Sequence, residues 1–273
     1  MRLFVTGASG FIGAHFARHA VASGAEVIAV SREPRTDHPI PPGLTWLTRS
    51  LADIERRDLE GTDIVVHLAA AGVSPQPAAW DVCYKVNVLQ SVRLASLAAE
   101  AGVRRIVATG SFAEYGRAAT RYAEIPADCA LEPTEPYSAS KASFSIAFRA
   151  LAEAMGLEAV YQRLFSVYGE GQFSGNFWPS LRRAAQSGGD FHMTPGEQIR
   201  DFVSVEAVCE RLFNGCRRTD IQAGVPYFEN VASGSPQSLR QFAEFWWDAW
   251  GARQPLKFDL PYRRHEVMRY VPQ

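Results

Sequence analysis

The chain has 273 residues, 47% of them hydrophobic, enough for one large α/β domain or a main domain with a smaller lobe. Lysine and arginine total 28 against 29 acidic residues, and the net charge of -1 gives no bulk reason to expect nucleic acid or a membrane surface as partner. Cys83, Cys129, Cys209 and Cys216 form no C-x-x-C pair and no Cys/His cluster, which argues against a structural metal.

Cys209 and Cys216 fall on one expected helix, roughly 10 Å apart, too far for a disulfide, so all four read as reduced thiols of a cytoplasmic protein. The opening M-R-L-F-V-T-G runs into glycines after one short apolar stretch, so neither a signal peptide nor an anchor is expected. No later apolar run approaches the roughly 18 residues of a membrane span, and the expectation is a soluble protein.

Leu3 to Val5 is a short β-prone run, followed by Thr6-Gly-Ala-Ser-Gly-Phe-Ile-Gly13 and an amphipathic stretch through Ala22: strand, glycine turn, helix. In G-x-x-G-x-x-G spacing the first glycine permits a tight turn, the second lets a pyrophosphate approach, and the third lets helix pack on strand. Gly7, Ser9, Gly10, Phe11, Ile12 and Gly13 are therefore candidate dinucleotide contacts, with phosphate met by the positive end of the helix.

The next strand, Glu26 to Val30, ends at Ser31 and Arg32, where such a fold reads the adenosine ribose. An acidic residue there would accept from a free 2'-hydroxyl and repel a phosphate. Ser31 and Arg32, with Arg35 nearby, favour NADP(H) over NAD(H), although Glu33 follows directly.

A loop from His38 to Gly43 leads to a strand at Leu44 to Leu47, and Ser50 and Leu51 fall where adenine is lined. Asp63 to Ala71 reads as a buried parallel strand whose small terminal residues, Leu68, Ala69 and Ala70 among them, admit a cofactor; His67 within it reads as a satisfied core residue. A helix is expected from about Ala78 to Gly102, with Val82, Val86, Leu89, Val92 and Leu97 on its apolar face. Arg105 to Thr109 is a strand, and Ser111 lies just beyond its carboxyl end, the edge where open parallel sheets bind ligands.

Tyr137-Ser-Ala-Ser-Lys141 opens a helical run to Met155. Residues four apart share a helix face, so the Tyr137 hydroxyl and Lys141 ammonium can converge. A cation held beside a phenol lowers its pKa and makes it a proton exchanger.

These motifs together resemble the extended short-chain dehydrogenase/reductases of the nucleotide-sugar branch. The likeness rests on T-G-A-S-G-F-I-G at Thr6, H-L-A-A at His67, N-V at Asn87, G-S-F-A-E-Y-G at Gly110 and Y-S-A-S-K at Tyr137. Further on it rests on R-L-F-S-V-Y-G at Arg163, G-E-Q-I-R-D-F-V at Gly196 and N-V-A-S-G at Asn230. It implies a doubly wound parallel sheet (Rossmann) over 1–168, with 205–232 returning to it. A smaller mixed substrate lobe would comprise 169–204 and 233–273.

It further implies that Tyr137 is the general acid/base, that Lys141 holds the nicotinamide ribose, that Ser111 hydrogen-bonds the reacting oxygen, and that Asn87 joins the cofactor contacts. Arg200 matches the arginine that pairs with the nucleotide diphosphate, and Ser166 and Phe177 fall at substrate positions. Phe173, Trp178 and His192 are unoriented pocket candidates.

Three departures qualify the likeness. Sugar 4,6-dehydratases carry acidic residues where this chain has Phe112 and Ala113; Glu114, one place displaced, is expected to point elsewhere. The usual Asn and Pro of R-x-x-N-V-Y-G-P are Ser166 and Glu170, and the chain stops at Gln273, earlier than most relatives.

The leading expectation is an NADPH-dependent reductase of a nucleotide-activated 4-keto-6-deoxyhexose, with a 4-epimerase holding tightly bound NAD as the alternative. A non-catalytic dinucleotide sensor is the remote reading, since sensors lose the tyrosine or lysine kept here. Helices 78–102 and 137–155 resemble the pair that forms a four-helix interface in this family, so a homodimer is expected.

Overall fold

In the computed structural model, residues 1–34, 41–73, 78–263 and 266–273 are described. Arg35 and His38 lie outside them. β1 (Arg2–Thr6) alternates its buried side chains, sending Leu3 and Val5 to one apolar cluster and Phe4 to another. Period-two alternation with both sets apolar is what a strand covered on both faces requires.

α1 (Phe11–Ala22), β2 (Glu26–Ser31), β3 (Leu44–Thr48) and β4 (Ile64–His67) follow, β4 being shorter than the run to Ala71 that its apolar sequence suggested. The ladder ends at His67, where the backbone of Leu68 and Ala69 passes close against Gly7.

The expected 78–102 helix is built in three pieces: α2 (Trp80–Tyr84), a π turn (Lys85–Gln90) and α3 (Ser91–Glu100). Then come β5 (Arg105–Ser111), a 3-10 turn (Phe112–Tyr115) and α4 (Pro136–Met155). α4 is well delimited: Glu135 and Ser138 form a capping box, Pro136 occupies the first helical position, and Gly156 closes it at φ 63°. β6 (Glu158–Leu164) escaped the sequence reading, because its apolar run is interrupted by Gln162 and Arg163.

β7 (Ser166–Tyr168), α5 (Phe177–Ser187), β8 (Ile199–Arg200), β9 (Phe202–Ser204), α6 (Val205–Arg217), β10 (Tyr227–Val231), β11 (Gln237–Ser238), α7 (Leu239–Ala249) and β12 (Arg269–Tyr270) complete the chain.

The main sheet has seven strands in the order β10-β6-β5-β4-β1-β2-β3, every pairing parallel. Order reverses between β1 and β4, so the crevice beyond their carboxyl ends is the topological switch point of a doubly wound sheet. β10 returns to the sheet edge beside β6, as expected of Tyr227 to Val231.

One face packs against α1 and α6 through Phe16, Leu212 and Phe213; the other packs against α3 and α4 through Leu94, Phe144 and Phe148. Separate clusters form round Tyr115, Phe165 and Tyr270, and between α5 and α7 round Leu181 and Trp247.

Arg105, 1% exposed, ties β5 to the end of α6 by donating to the carbonyls of Gly215 (3.1 Å), Cys216 (2.7 Å) and Arg218 (2.7 Å), with Glu158 as counter-charge. All four cysteines are free thiols. Among the described residues no helix is long and apolar enough to cross a membrane, and no three His, Cys, Asp or Glu cluster to hold a metal.

Candidate active site

The glycine turn fills the switch point. Gly7 has φ +70°, and a Cβ there would stand 2.6 Å from the Ala69 nitrogen; one on Gly13 would run into the Gly7 carbonyl, with the Ala8 Cα at 2.8 Å. α1 begins at Gly10 with no side chain capping its amides and no acidic residue in its first turn. Its positive end is therefore open to an anion. Ser9 and Gly10 are exposed and Phe11 and Ile12 half-buried at this rim.

Ala69 to Ala71 forms the facing wall, held by a buried polar chain. His67 sits between Thr6 (2.7 Å from Nδ1) and Ser91 (2.9 Å from Nε2). Ser91 spends its hydroxyl proton on the Val86 carbonyl at 3.0 Å, so the imidazole donates from Nε2 and accepts from Thr6 at Nδ1. Burial first, then the charge of Lys141, lower the His67 pKa to about 3, so it stays neutral, the satisfied core histidine expected.

Asn87 does not open onto the crevice. Its amide accepts from the Ala71 N–H (2.7 Å) and donates to the Ala71 carbonyl (3.0 Å) and Ser140 (2.9 Å), pinning the wall to α4. The π turn makes this possible by adding a residue to the helical coil and turning Asn87 inward.

At the ribose end, Ser31 is buried and works locally: its hydroxyl donates to the Glu33 carbonyl (2.7 Å) and accepts from the Glu33 N–H (3.3 Å). Arg32 and Glu33 are left exposed at the strand end. Ser50 donates to Asp53 at 2.5 Å and Leu51 packs partly into the core, beside Arg49, whose N–H donates to the Ser31 carbonyl at 2.9 Å.

Tyr137 and Lys141 stand one turn apart on α4, and Ser111 hydrogen-bonds Tyr137, but the electrostatics differ from the expectation. Burial and then the Glu114 carboxylate raise the Tyr137 pKa, against a lowering by hydrogen bonding to Ser111. Lys141 is 3% exposed and burial lowers its pKa to about 8, with Glu114 acting upward. The expectation that the ammonium would make the phenol more acidic is therefore corrected: Lys141 is not among the groups acting on Tyr137, and desolvation of the phenolate dominates. The Lys141 Nζ lies 5.9 Å from the Phe144 ring centre and no acceptor among the described residues caps it.

Glu114, expected to point elsewhere, is turned inward: it is fully buried and pairs with Arg163 at 2.7 Å. Neither Arg163 nor its neighbour Tyr161 was given a role from sequence. The signal was there, since a cation in the buried run Val160 to Leu164 requires an acidic partner. Phe112, at one place where dehydratases carry an acid, packs on Phe165 (5.7 Å) and Tyr270 (4.8 Å).

Ser166, Phe177 and Arg200 line one cavity of about 290 Å³ together with Tyr168, Trp178 and Glu266. Ser111 pairs in register with Leu164, two residues before Ser166, while Tyr137, Lys141 and Ser111 are not among the residues lining this cavity. Arg200 already has a partner: its guanidinium donates to Glu266 (3.0 Å) and to the carbonyls of Ile199 (2.9 Å) and Val267 (2.8 Å). An incoming diphosphate there would compete with a carboxylate. Phe173 is exposed, and His192 pairs with Asp259 at 2.8 Å. A cavity of about 480 Å³ shares Trp178 and Gln172 with the first and lies along Glu170 and Arg182, which form an ion pair.

Residues 3–214 match the family model described as the NAD dependent epimerase/dehydratase family. The chain belongs to that family. Members of this epimerase/dehydratase family resemble it nearly end to end. A UDP-glucose 4-epimerase of Streptomyces lividans is 27% identical over 269 residues, covering 89% of this chain and 79% of that protein. A dTDP-6-deoxy-L-talose 4-dehydrogenase (NAD(+)) of Aggregatibacter actinomycetemcomitans is 24% identical over 253 residues, covering 89% of this chain and 88% of that one.

Among solved structures, MoeE5 in complex with UDP-glucuronic acid and NAD superposes with a TM-score of 0.85 at 28% identity, covering 100% of this chain and 90% of that one. This chain is accordingly an enzyme of the extended short-chain dehydrogenase/reductase type, in a family described as dependent on the dinucleotide NAD. Its residues fit that cofactor: the glycine cradle has no room for a Cβ, the start of α1 is uncapped, and the Lys141 ammonium has no acceptor among the described residues.

Proposed function

We propose that this enzyme is an NADP(H)-dependent reductase of a nucleotide-activated 4-keto-6-deoxyhexose. The observation that carries the reading is the hydrogen bond between Tyr137 and Ser111 at the carboxyl end of β5: two hydroxyls meet there, and the phenol, protonated at neutral pH, can give its proton to an oxygen on which charge develops. Ser111, beside that hydroxyl, is placed to share the same oxygen. Lys141 offers its uncapped ammonium to a ribose hydroxyl, and the glycine cradle with the open start of α1 holds a pyrophosphate. Bound, the nicotinamide supplies the hydride.

Two features support reduction over dehydration. Phe112 lies in an apolar cluster and Ala113 has no carboxyl group, so neither can move the proton that loss of water requires. Exposed Arg32 at the end of β2 suits a 2'-phosphate, which supports NADP(H). The residues 169–204 and 233–273 are read as the substrate lobe, with Ser166, Phe177 and Arg200 facing the nucleotide sugar.

Epimerisation is the second reading, favoured by the Streptomyces lividans relative and by Ser31 being held in its own turn, which leaves Glu33 beside Arg32. An epimerase keeps one NAD to take and return a hydride; a reductase releases its cofactor each turn. Purified protein passed through gel filtration should emerge without nicotinamide absorbance and should oxidise NADPH when given a dTDP- or CDP-linked 4-keto-6-deoxyhexose. Retained NAD with no NADPH consumption would sink the reductase and favour the epimerase.

A further inference from the structure

Glu114 is, among the described residues, the one carboxylate that acts on both Tyr137 and Lys141, and the proposed chemistry has not used it. Its Oε1 accepts from the Ser111 N–H at 2.8 Å and from the Tyr161 hydroxyl at 2.9 Å, while Oε2 accepts from Arg163 Nε at 2.7 Å. The same Tyr161 hydroxyl lies 3.2 Å from the Lys141 carbonyl. One carboxylate thus touches the residue that carries the Ser111 hydroxyl and, through a single phenol, the turn of α4 that carries Lys141.

The surroundings hold it there. Arg163 is itself fixed by donating to the Ala127 carbonyl at 2.7 Å, and Tyr115 is anchored to Asn230 at 2.6 Å. Gly110 has no Cβ because one would meet the Tyr161 ring at 2.8 Å and press into Glu114 itself.

We propose that Glu114 is a positioning residue for this site: locked by Arg163, it fixes Ser111 and the Lys141 turn, and its negative charge keeps the Lys141 ammonium protonated inside the protein. The groups facing Lys141 single it out for that task. His67 from β4 is neutral, Tyr137 on the same helix is a neutral phenol, and Cys83 from α2 acts on Tyr137 rather than on Lys141. Tyr161 and Arg163 from β6 stand against the Glu114 carboxylate, which is the only anion acting on the lysine among the described residues. Burial works against the ammonium and Glu114 works for it.

The inference rests on reading Tyr137, Lys141 and Ser111 as the reacting groups, but its test needs no substrate and is separable from the reductase assignment. The chain has three lysines, Lys85, Lys141 and Lys257, so protein labelled with carbon-13 at the lysine ε position gives three resonances that can be titrated directly. The wild-type Lys141 signal should titrate near pH 8. Glu114→Gln should lower that midpoint by roughly one unit, and Glu114→Asp should restore most of it.

Glu114→Gln leaves Arg163 buried without its partner, so the double variant Glu114→Gln/Arg163→Met, which removes both charges, reads the same resonance in a core that keeps its packing. Arg163 is not among the charges that act on Lys141, so the double variant should show the same fall. A midpoint unchanged from wild type in either folded variant overturns the proposal and leaves Glu114 as half of a structural ion pair.

Discussion

At the residue scale the site is governed by what burial does to charge. Tyr137 and Lys141 sit one helical turn apart, yet each is pushed toward its neutral form, because a low-dielectric surrounding disfavours phenolate and ammonium alike. Tyr137→Phe removes the exchangeable proton and the hydrogen bond to Ser111, so turnover of a keto-sugar should fall by at least roughly 10² while stability drops by no more than about 1 kcal/mol; undiminished steady-state rates would remove Tyr137 from the chemistry. His67 makes a pH prediction whose sign is fixed. Its folded pKa of about 3 lies below the 6.5 of a free imidazole, so well above 6.5 the ring is neutral folded or unfolded and contributes no pH dependence. Below 6.5 the unfolded chain binds a proton that the folded chain refuses, and stability falls continuously toward pH 3. At pH 5 the loss from this residue is about 2 kcal/mol. Urea denaturation of wild type and His67→Gln at pH 7.5 and pH 5 checks it, the variant showing the shallower decline.

At the scale of elements, the decisive piece is the π turn between α2 and α3. A regular α-helix over 80–100 satisfies the apolar periodicity that the sequence displays, and hydrophobic spacing alone therefore reads one continuous helix. What the spacing does not encode is that Asn87 must reach the backbone of Ala71 with both ends of its amide. Asn87→Ala would leave that peptide and Ser140 short of partners in a buried place, which should cost about 1–3 kcal/mol, read as a lower urea midpoint with unchanged slope. An Asn in a motif shared with dinucleotide enzymes suggests a ligand contact, and the structure adds a second task, holding the wall at Ala71. The glycine turn, by contrast, was fully legible, because Gly7 and Gly13 are demanded by backbone contacts that any chain with this strand-turn-helix path must make.

At the scale of the whole molecule, the outer faces of the helices 80–100 and 136–155 leave large apolar side chains in solvent, with Leu89 at 68% and Ile146 at 65% exposure. Apolar residues on two adjacent helices are what a homodimer interface would cover. Light scattering at micromolar concentration should give twice the 30.1 kDa chain mass, and Leu89→Glu/Ile146→Glu should give the monomer; a wild-type monomer would refute the pairing. The chain's own pattern carried the parallel sheet, through its alternating apolar strands and helices, the cradle, through its glycines, and the placing of Tyr137 and Lys141 one turn apart, through the helical repeat. Each of these follows from local geometry that repeats along the chain. Only the tertiary structure decided that Glu114 turns inward to Arg163, that Arg200 is already paired with Glu266, and that Ser31 closes its own turn. Those outcomes depend on which charges and hydroxyls distant segments bring within 3 Å or so of one another, and no spacing rule read along a single strand of sequence contains that distance.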